Sequence, residues 1–138
     1  MFDSSLEYPT FVRGIIFRNE KMCFIRERKN GKIIWNFPGG KVEQNESIYE
    51  AINREINEEL GVTCLKTKLI FSGNFVFENQ PWYGYYFNCK VDSYDFILES
   101  HENIFSFLST KDIFQSEHGV PNKIIEELTW KFASCTNI

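Results

Sequence analysis

Aromatic and β-branched residues crowd two early stretches, Thr10 to Arg18 (TFVRGIIFR) and Met22 to Arg28 (MCFIRER). Asn19-Glu20-Lys21 breaks them, so the pattern predicts a hairpin. Lys29-Asn30-Gly31 reads as a turn, and Lys32 to Phe37 as extended chain. Pro38-Gly39-Gly40 then reads as a loop freed from ordinary φ/ψ limits. The period changes after residue 46. Tyr49, Ile52, Ile56 and Leu60 fall on one stripe at about 100° per residue, which predicts a helix with its apolar face inward. Ser47 and Glu50 fit a capping box at its start, and Gly61 suits the left-handed position at its end. Val62 to Phe77 and Trp82 to Val91 are again β-rich, separated by Glu78-Asn79-Gln80-Pro81. Ile104 to Leu108 predicts a short strand. Pro121 to Ala133 predicts a closing helix with Ile124, Ile125, Leu128 and Phe132 inward and Pro121 in its first turn. Strand, strand, helix, several strands, helix is the order of an α/β fold, a mixed sheet with helices packed on it.

The polar side of the first helix is the informative one. Glu55, Glu58 and Glu59 fall within an arc of roughly 100° beside the apolar stripe. Like charges at i,i+3 and i,i+4 repel, and the C-terminal half of a helix disfavours anions. Arg54 is the only cation on the helix. One reading is a solvated charged face. The other is a site for a hard divalent ion, because Mg²⁺ takes oxygen ligands and keeps open places for water or phosphate.

Composition narrows the classes. The chain has 138 residues, 43% hydrophobic and 17% aromatic, with a net charge of −4. That length allows one domain, over residues 1–138, and the mix excludes a disordered or collagen-like chain. No apolar run approaches the ~18 residues of a membrane span, and the start lacks the pattern of a signal peptide. An acidic chain is a poor non-specific binder of nucleic acid or of anionic membranes. Cys23, Cys64, Cys89 and Cys135 are far apart, without CxxC or zinc-type spacing. They read as free, mostly buried thiols of a cytoplasmic protein.

Gly40, five residues, Glu46, seven residues, then Arg54-Glu55-Ile56-Asn57-Glu58-Glu59-Leu60-Gly61-Val62 matches the Nudix box without a mismatch. The lead-in Trp35-Asn36-Phe37-Pro38-Gly39-Gly40-Lys41-Val42-Glu43 is also similar to that family. The chain therefore resembles the Nudix (MutT-like) hydrolases. The resemblance is specific over about residues 13–62 and implies an α/β/α sandwich with a mixed β-sheet between helices.

The resemblance implies a metal-dependent pyrophosphohydrolase. Such enzymes cleave a nucleoside diphosphate linked to a group X, with Mg²⁺ or Mn²⁺. Carried over, Glu55, Glu58 and Glu59 are metal ligands and catalytic acids, joined by the carbonyl of Gly39. Glu46 and Arg54 brace them. A downstream acid serves as base in part of the family; Glu102 is chosen here over Glu99, with Glu55 or Glu59 as alternatives. Arg28 and Lys41 are candidate phosphate binders. Trp35, Phe75, Phe77, Trp82 and Tyr83 flank loops near the box and are candidate base-stacking rings, Trp35 first among them. His101 and His118 are given no role. A chain of this length looks most like the nucleoside-triphosphate pyrophosphatases. ADP-ribose, NADH or dinucleoside polyphosphate hydrolysis, and a non-catalytic nucleotide sensor, are the alternatives. The expected partner is a nucleotide-type small molecule. No membrane is expected, nor nucleic acid apart from an RNA 5′ end, and a homodimer is left open.

Overall fold

A computed structural model describes residues 8–136, without the side chains of Lys29 and of 130–136. Its strands are β1 (Thr10–Ile15), β2 (Phe17–Arg18), β3 (Lys21–Lys29), β4 (Lys32–Asn36), β5 (Gly39–Lys41), β6 (Cys64–Phe77), β7 (Gln80–Val91) and β8 (Ile104–Leu108). The helices are α1 (Ile48–Leu60), α2 (Thr110–Phe114) and α3 (Asn122–Thr136). None is long and apolar enough, among the described residues, to cross a membrane.

Two sheets form rather than one. The first runs β5-β1-β7-β6 and is mixed: β1 and β7 are parallel, the other pairs antiparallel. In the second, β3 pairs antiparallel with β2, β4 and β8. The long early stretch therefore divides at Ile16, whose carbonyl accepts from the Cys23 amide at 2.9 Å. Only β2 and β3 make the expected hairpin; β1 belongs to the other sheet. Gly39-Gly40 is likewise strand rather than loop, pairing with β1.

Both faces of these sheets are covered, and the period of two along each strand sorts residues between them. Phe11 and Ile15 of β1 and Phe24 of β3 join Ile113 of α2 and Ile124, Ile125 and Leu128 of α3 in one cluster. Val12, Ile16, Cys23 and Ile25 point the other way and meet Ala51, Ile52, Ile56 and Leu60 of α1. The result is an α/β sandwich with α1 on one side and α3 on the other. Fully burying such a side chain contributes ~1.5–3 kcal/mol.

Helix α1 has the expected ends. Ser47 Oγ accepts from the Glu50 amide, Glu50 returns the bond, and Gly61 closes the helix at φ 69°. Tyr49 corrects the expected core stripe: it is 49% exposed, while Ala51 is fully buried. Tyr49 stands in the first turn and reaches only the edge of Phe87, with ring centroids 5.3 Å apart. The buried arc is thus displaced toward the column Ala51, Glu55, Glu59, successive i,i+4 neighbours. That column draws two of the three acids inward.

Helix α3 starts one residue after Pro121, whose carbonyl accepts from Ile124 and Ile125. The side chain of Phe132, expected on its inner stripe, lies outside the described residues. Helix α2 escaped the sequence reading although Ser109 and Asp112 form a second capping box.

Candidate active site

Strand β5 passes directly over the acid face of α1, and two glycines permit the approach. Gly39 has φ 149°, and a Cβ there would collide with the Val12 carbonyl. At Gly40 a Cβ would come within 2.7 Å of Glu55 Oε2. The Gly39 amide donates to both Glu59 oxygens, at 3.1 and 3.3 Å. Gly39 therefore meets the cluster through its N–H.

Arg54 is the hub of the remaining acids. Its Nε and Nη2 grip Glu46 at 2.6 and 3.0 Å, a bidentate pair. Nη1 donates to Glu55 at 2.7 Å and to Glu58 at 2.9 Å. Nη2 also donates to the Lys41 carbonyl at 3.2 Å, and Glu43 stands 3.4 Å from Nε. The guanidinium beside Glu46 holds that carboxyl below its ordinary value.

Glu59 is in the opposite condition. Burial pushes its carboxyl up to about 8, despite the Gly39 amide and the Arg13 charge, and Glu55 and Glu27 push the same way. Burial also raises Glu55, with Arg54 opposing. A buried acid that stays protonated near neutral pH loses its proton readily once positive charge arrives.

Among the described residues, no three acidic, histidine or cysteine side chains stand grouped to hold a metal ion. The donor set nevertheless fits Mg²⁺ or Mn²⁺: hard carboxylate oxygens, on one helix face, beneath a glycine strand that leaves room. Arg54 lies between Glu55 and Glu58, so a cation would take its place against those two oxygens.

The other expected residues lie apart from this hub. Arg28 and Glu102 line a cavity of about 300 Å³ together with Arg26, Glu27 and Ile33. Glu27, which lines the cavity, is also one of the charges that raise Glu59. Strand β8 runs along β3, with Ile104 opposite Arg26. Two residues further back the ladder direction brings Glu102 level with Arg28. Glu99 bonds elsewhere, its amide donating to the Glu59 carbonyl at 3.3 Å. The Lys41 side chain is exposed and has no partner in the cluster.

Of the candidate stacking rings, Phe75 is withdrawn into the core at 5% exposure, and Phe77 and Trp82 pack against that core. Tyr83 leans on Tyr85 and bonds Ser72 at 3.4 Å. Trp35 is half-buried, with the Arg26 guanidinium 5.7 Å from its ring centroid. Arg13 and Glu27 were not anticipated. Arg13 Nη1 donates to the Phe37 carbonyl at 2.9 Å, and its charge opposes the rise in the pKa of Glu55 and Glu59. Its signal was a lone charge inside an otherwise buried strand, TFVRGI.

A family model described as the NUDIX domain matches residues 9–128. Over 63 residues the chain is 36% identical to an 8-oxo-dGTP diphosphatase of Buchnera aphidicola subsp. Schizaphis graminum, covering 44% of this chain and 48% of that protein. The chain spans about half the length, or less, of the curated relatives it matches. A NUDIX hydrolase from Nitrosomonas europaea superposes with a TM-score of 0.78 at 24% identity, covering 91% of this chain and 90% of that one. A MutT protein from Methanosarcina mazei Go1 gives 0.75 at 25% identity, with 96% and 97% covered.

Proposed function

The chain belongs to the Nudix family, and on that premise we propose that it is a metal-dependent pyrophosphohydrolase acting on a nucleoside triphosphate. One observation carries the reading: Glu55, Glu58 and Glu59 are all present on one face of α1, with Glu59 half-buried against the Gly39 amide. An electrostatically costly face of this kind is explained by a cation that it recruits. The resemblance to an 8-oxo-dGTP diphosphatase supports a triphosphate as substrate.

Bound at these acids, Mg²⁺ or Mn²⁺ would neutralise charge on the attacking and leaving oxygens and make water more acidic. The chain's own groups do the rest. Glu59 gives up its proton as positive charge enters. Glu102, which lines the cavity, takes the proton of the attacking water. Arg28, which lines it too, holds phosphate, and Arg54 keeps Glu46 and the loop before α1 in place. Water forms a bond to one phosphorus of the anhydride, the bridging P–O bond breaks, and pyrophosphate leaves from a nucleoside monophosphate.

The test is purified protein with Mg²⁺ against nucleoside triphosphates, ADP-ribose, NADH, dinucleoside polyphosphates and nucleotide sugars. The reading expects a triphosphate to turn over fastest, yielding monophosphate and pyrophosphate. Faster cleavage of ADP-ribose or a dinucleoside polyphosphate would overturn the substrate and leave the hydrolase. No cleavage of any of them would overturn both.

A further inference from the structure

Arg28 and Glu102 share their cavity with an arginine that the proposed mechanism leaves unused. Arg26 lines it too, as does Ile33. In the β3–β4 ladder Arg26 stands opposite Trp35, and Arg28 opposite Ile33. On the other edge of β3, Ile104 of β8 stands opposite Arg26. Residues two apart on a strand share a face and lie roughly 7 Å from each other. The two arginines therefore stand one repeat apart on the same side of the sheet. Arg26 has an apolar residue across from it on both flanking strands.

Arg26 is exposed, and its guanidinium lies 5.7 Å from the Trp35 ring centroid, within cation–π reach. Glu27 and Glu102 line the cavity as well, but every ion pair among the described residues is made by Arg54. Arg26 thus presents a charge that none of the described carboxylates takes. A planar guanidinium can lie against an aromatic face and still offer its in-plane N–H groups.

We propose that Arg26 is a specificity-determining residue, donating to O6 of a purine base and so selecting 6-oxopurine over 6-aminopurine nucleotides. The inference rests on the nucleotide reading above, with Arg28 on phosphate. One strand repeat then separates the phosphate contact from the base contact, as a ribose separates those groups in a nucleotide. Trp35 and Ile104 flank Arg26 and suit the flat, apolar body of a base. The cavity, at about 300 Å³, is at the small end of the range for small-molecule sites. A guanidinium has donors only, so it matches the keto oxygen of guanine or hypoxanthine. The 6-amino group of adenine would bring N–H against N–H. Trp35 is a positioning residue in this scheme: it fixes the plane of the guanidinium.

Isothermal titration calorimetry of the whole protein with GMP, IMP and AMP, in Mg²⁺, tests this apart from turnover. IMP carries O6 without the 2-amino group of guanine, so it isolates the contact. GMP and IMP should bind ~10-fold or more tightly than AMP. Arg26→Ala should weaken both to the level of AMP. Arg26→Lys should recover only part, lacking the planar fork. Trp35→Ala should narrow the preference, and Trp35→Phe should restore most of it. Equal affinities for the three in the wild type would overturn the proposal, and so would binding of none. An Arg26→Ala protein weakened equally for all three would overturn it too, since Arg26 would then hold phosphate. The hydrolase reading fails separately: if no nucleoside triphosphate is cleaved but GMP and IMP keep their preference, the base contact stands without it.

Discussion

The segments before and after α1 hold their acids in contrasting ways. Before the helix, Glu43 and Glu46 are tied to Arg54, the Glu43 amide donates to Glu46 at 2.9 Å, and Lys41 lends its carbonyl. After it, Ile97 and Glu99 donate backbone amides to the last helical carbonyls. The side chains of Glu99 and Glu102 themselves have no ion-pair partner among the described residues. One side is a preformed brace; the other presents a free acid on a short connection. An arrangement of this kind can hold the braced acids rigid while the free acid moves.

The largest effect should come from the helix itself. Glu58→Gln should lower kcat by ~10³-fold or more, since a lost ligand removes several kcal/mol of charge stabilisation. Glu58 is exposed, so circular dichroism should show the fold intact. Near wild-type turnover would break the ligand assignment.

On the free side, Glu102→Gln should lower kcat by ~10²-fold, and Glu99→Gln should change it little. The two mutants in steady-state assays decide between them. The reverse ranking would move the base to Glu99; two active mutants would move it to Glu55 or Glu59.

On the braced side, Arg54→Ala should lower stability by about 1–3 kcal/mol in EDTA, because several charge-assisted bonds go at once. Arg54→Lys should recover only part of it, lacking the bidentate grip on Glu46. Urea denaturation measures both. An unchanged midpoint would show that the hub does not brace the fold.

The last effect is a slope with pH. Glu59 has a folded pKa of about 8 against an ordinary 4.5. The folded state therefore holds a proton that the unfolded chain has released between those values. Stability without metal should fall as pH rises through this window, at most about 1.4 kcal/mol per pH unit. Glu59→Gln should flatten the slope. A wild-type protein equally stable at pH 5.5 and pH 8 in EDTA would contradict the buried, protonated acid.

Much of this was legible in the chain. The capping box at Ser47, the length of α1, Gly61 and β8 are local patterns, and they appear where periodicity puts them. What failed was non-local. Nothing between Thr10 and Arg18 marks the step from one sheet to the other, because both sheets are buried on two faces and both halves read as apolar strand. Tyr49 has the azimuth of the core but stands in the first turn of the helix, where it meets only the edge of Phe87. The rings Phe75 and Phe77 looked available because they flank a turn; tilted and edge-on packing against Phe11 took them inward. In the site, the residues of α1 came from one motif, whereas Arg13 and Glu27 arrive from other strands and have no spacing to betray them.

The most direct measurement is product release from a nucleoside triphosphate, followed as Mg²⁺ is titrated into metal-free protein. The account predicts monophosphate and pyrophosphate in equal amounts, rising from background with Mg²⁺ and returning to background with EDTA, and no rise for Glu58→Gln. Equal release with and without EDTA, or orthophosphate as the first product, would contradict it.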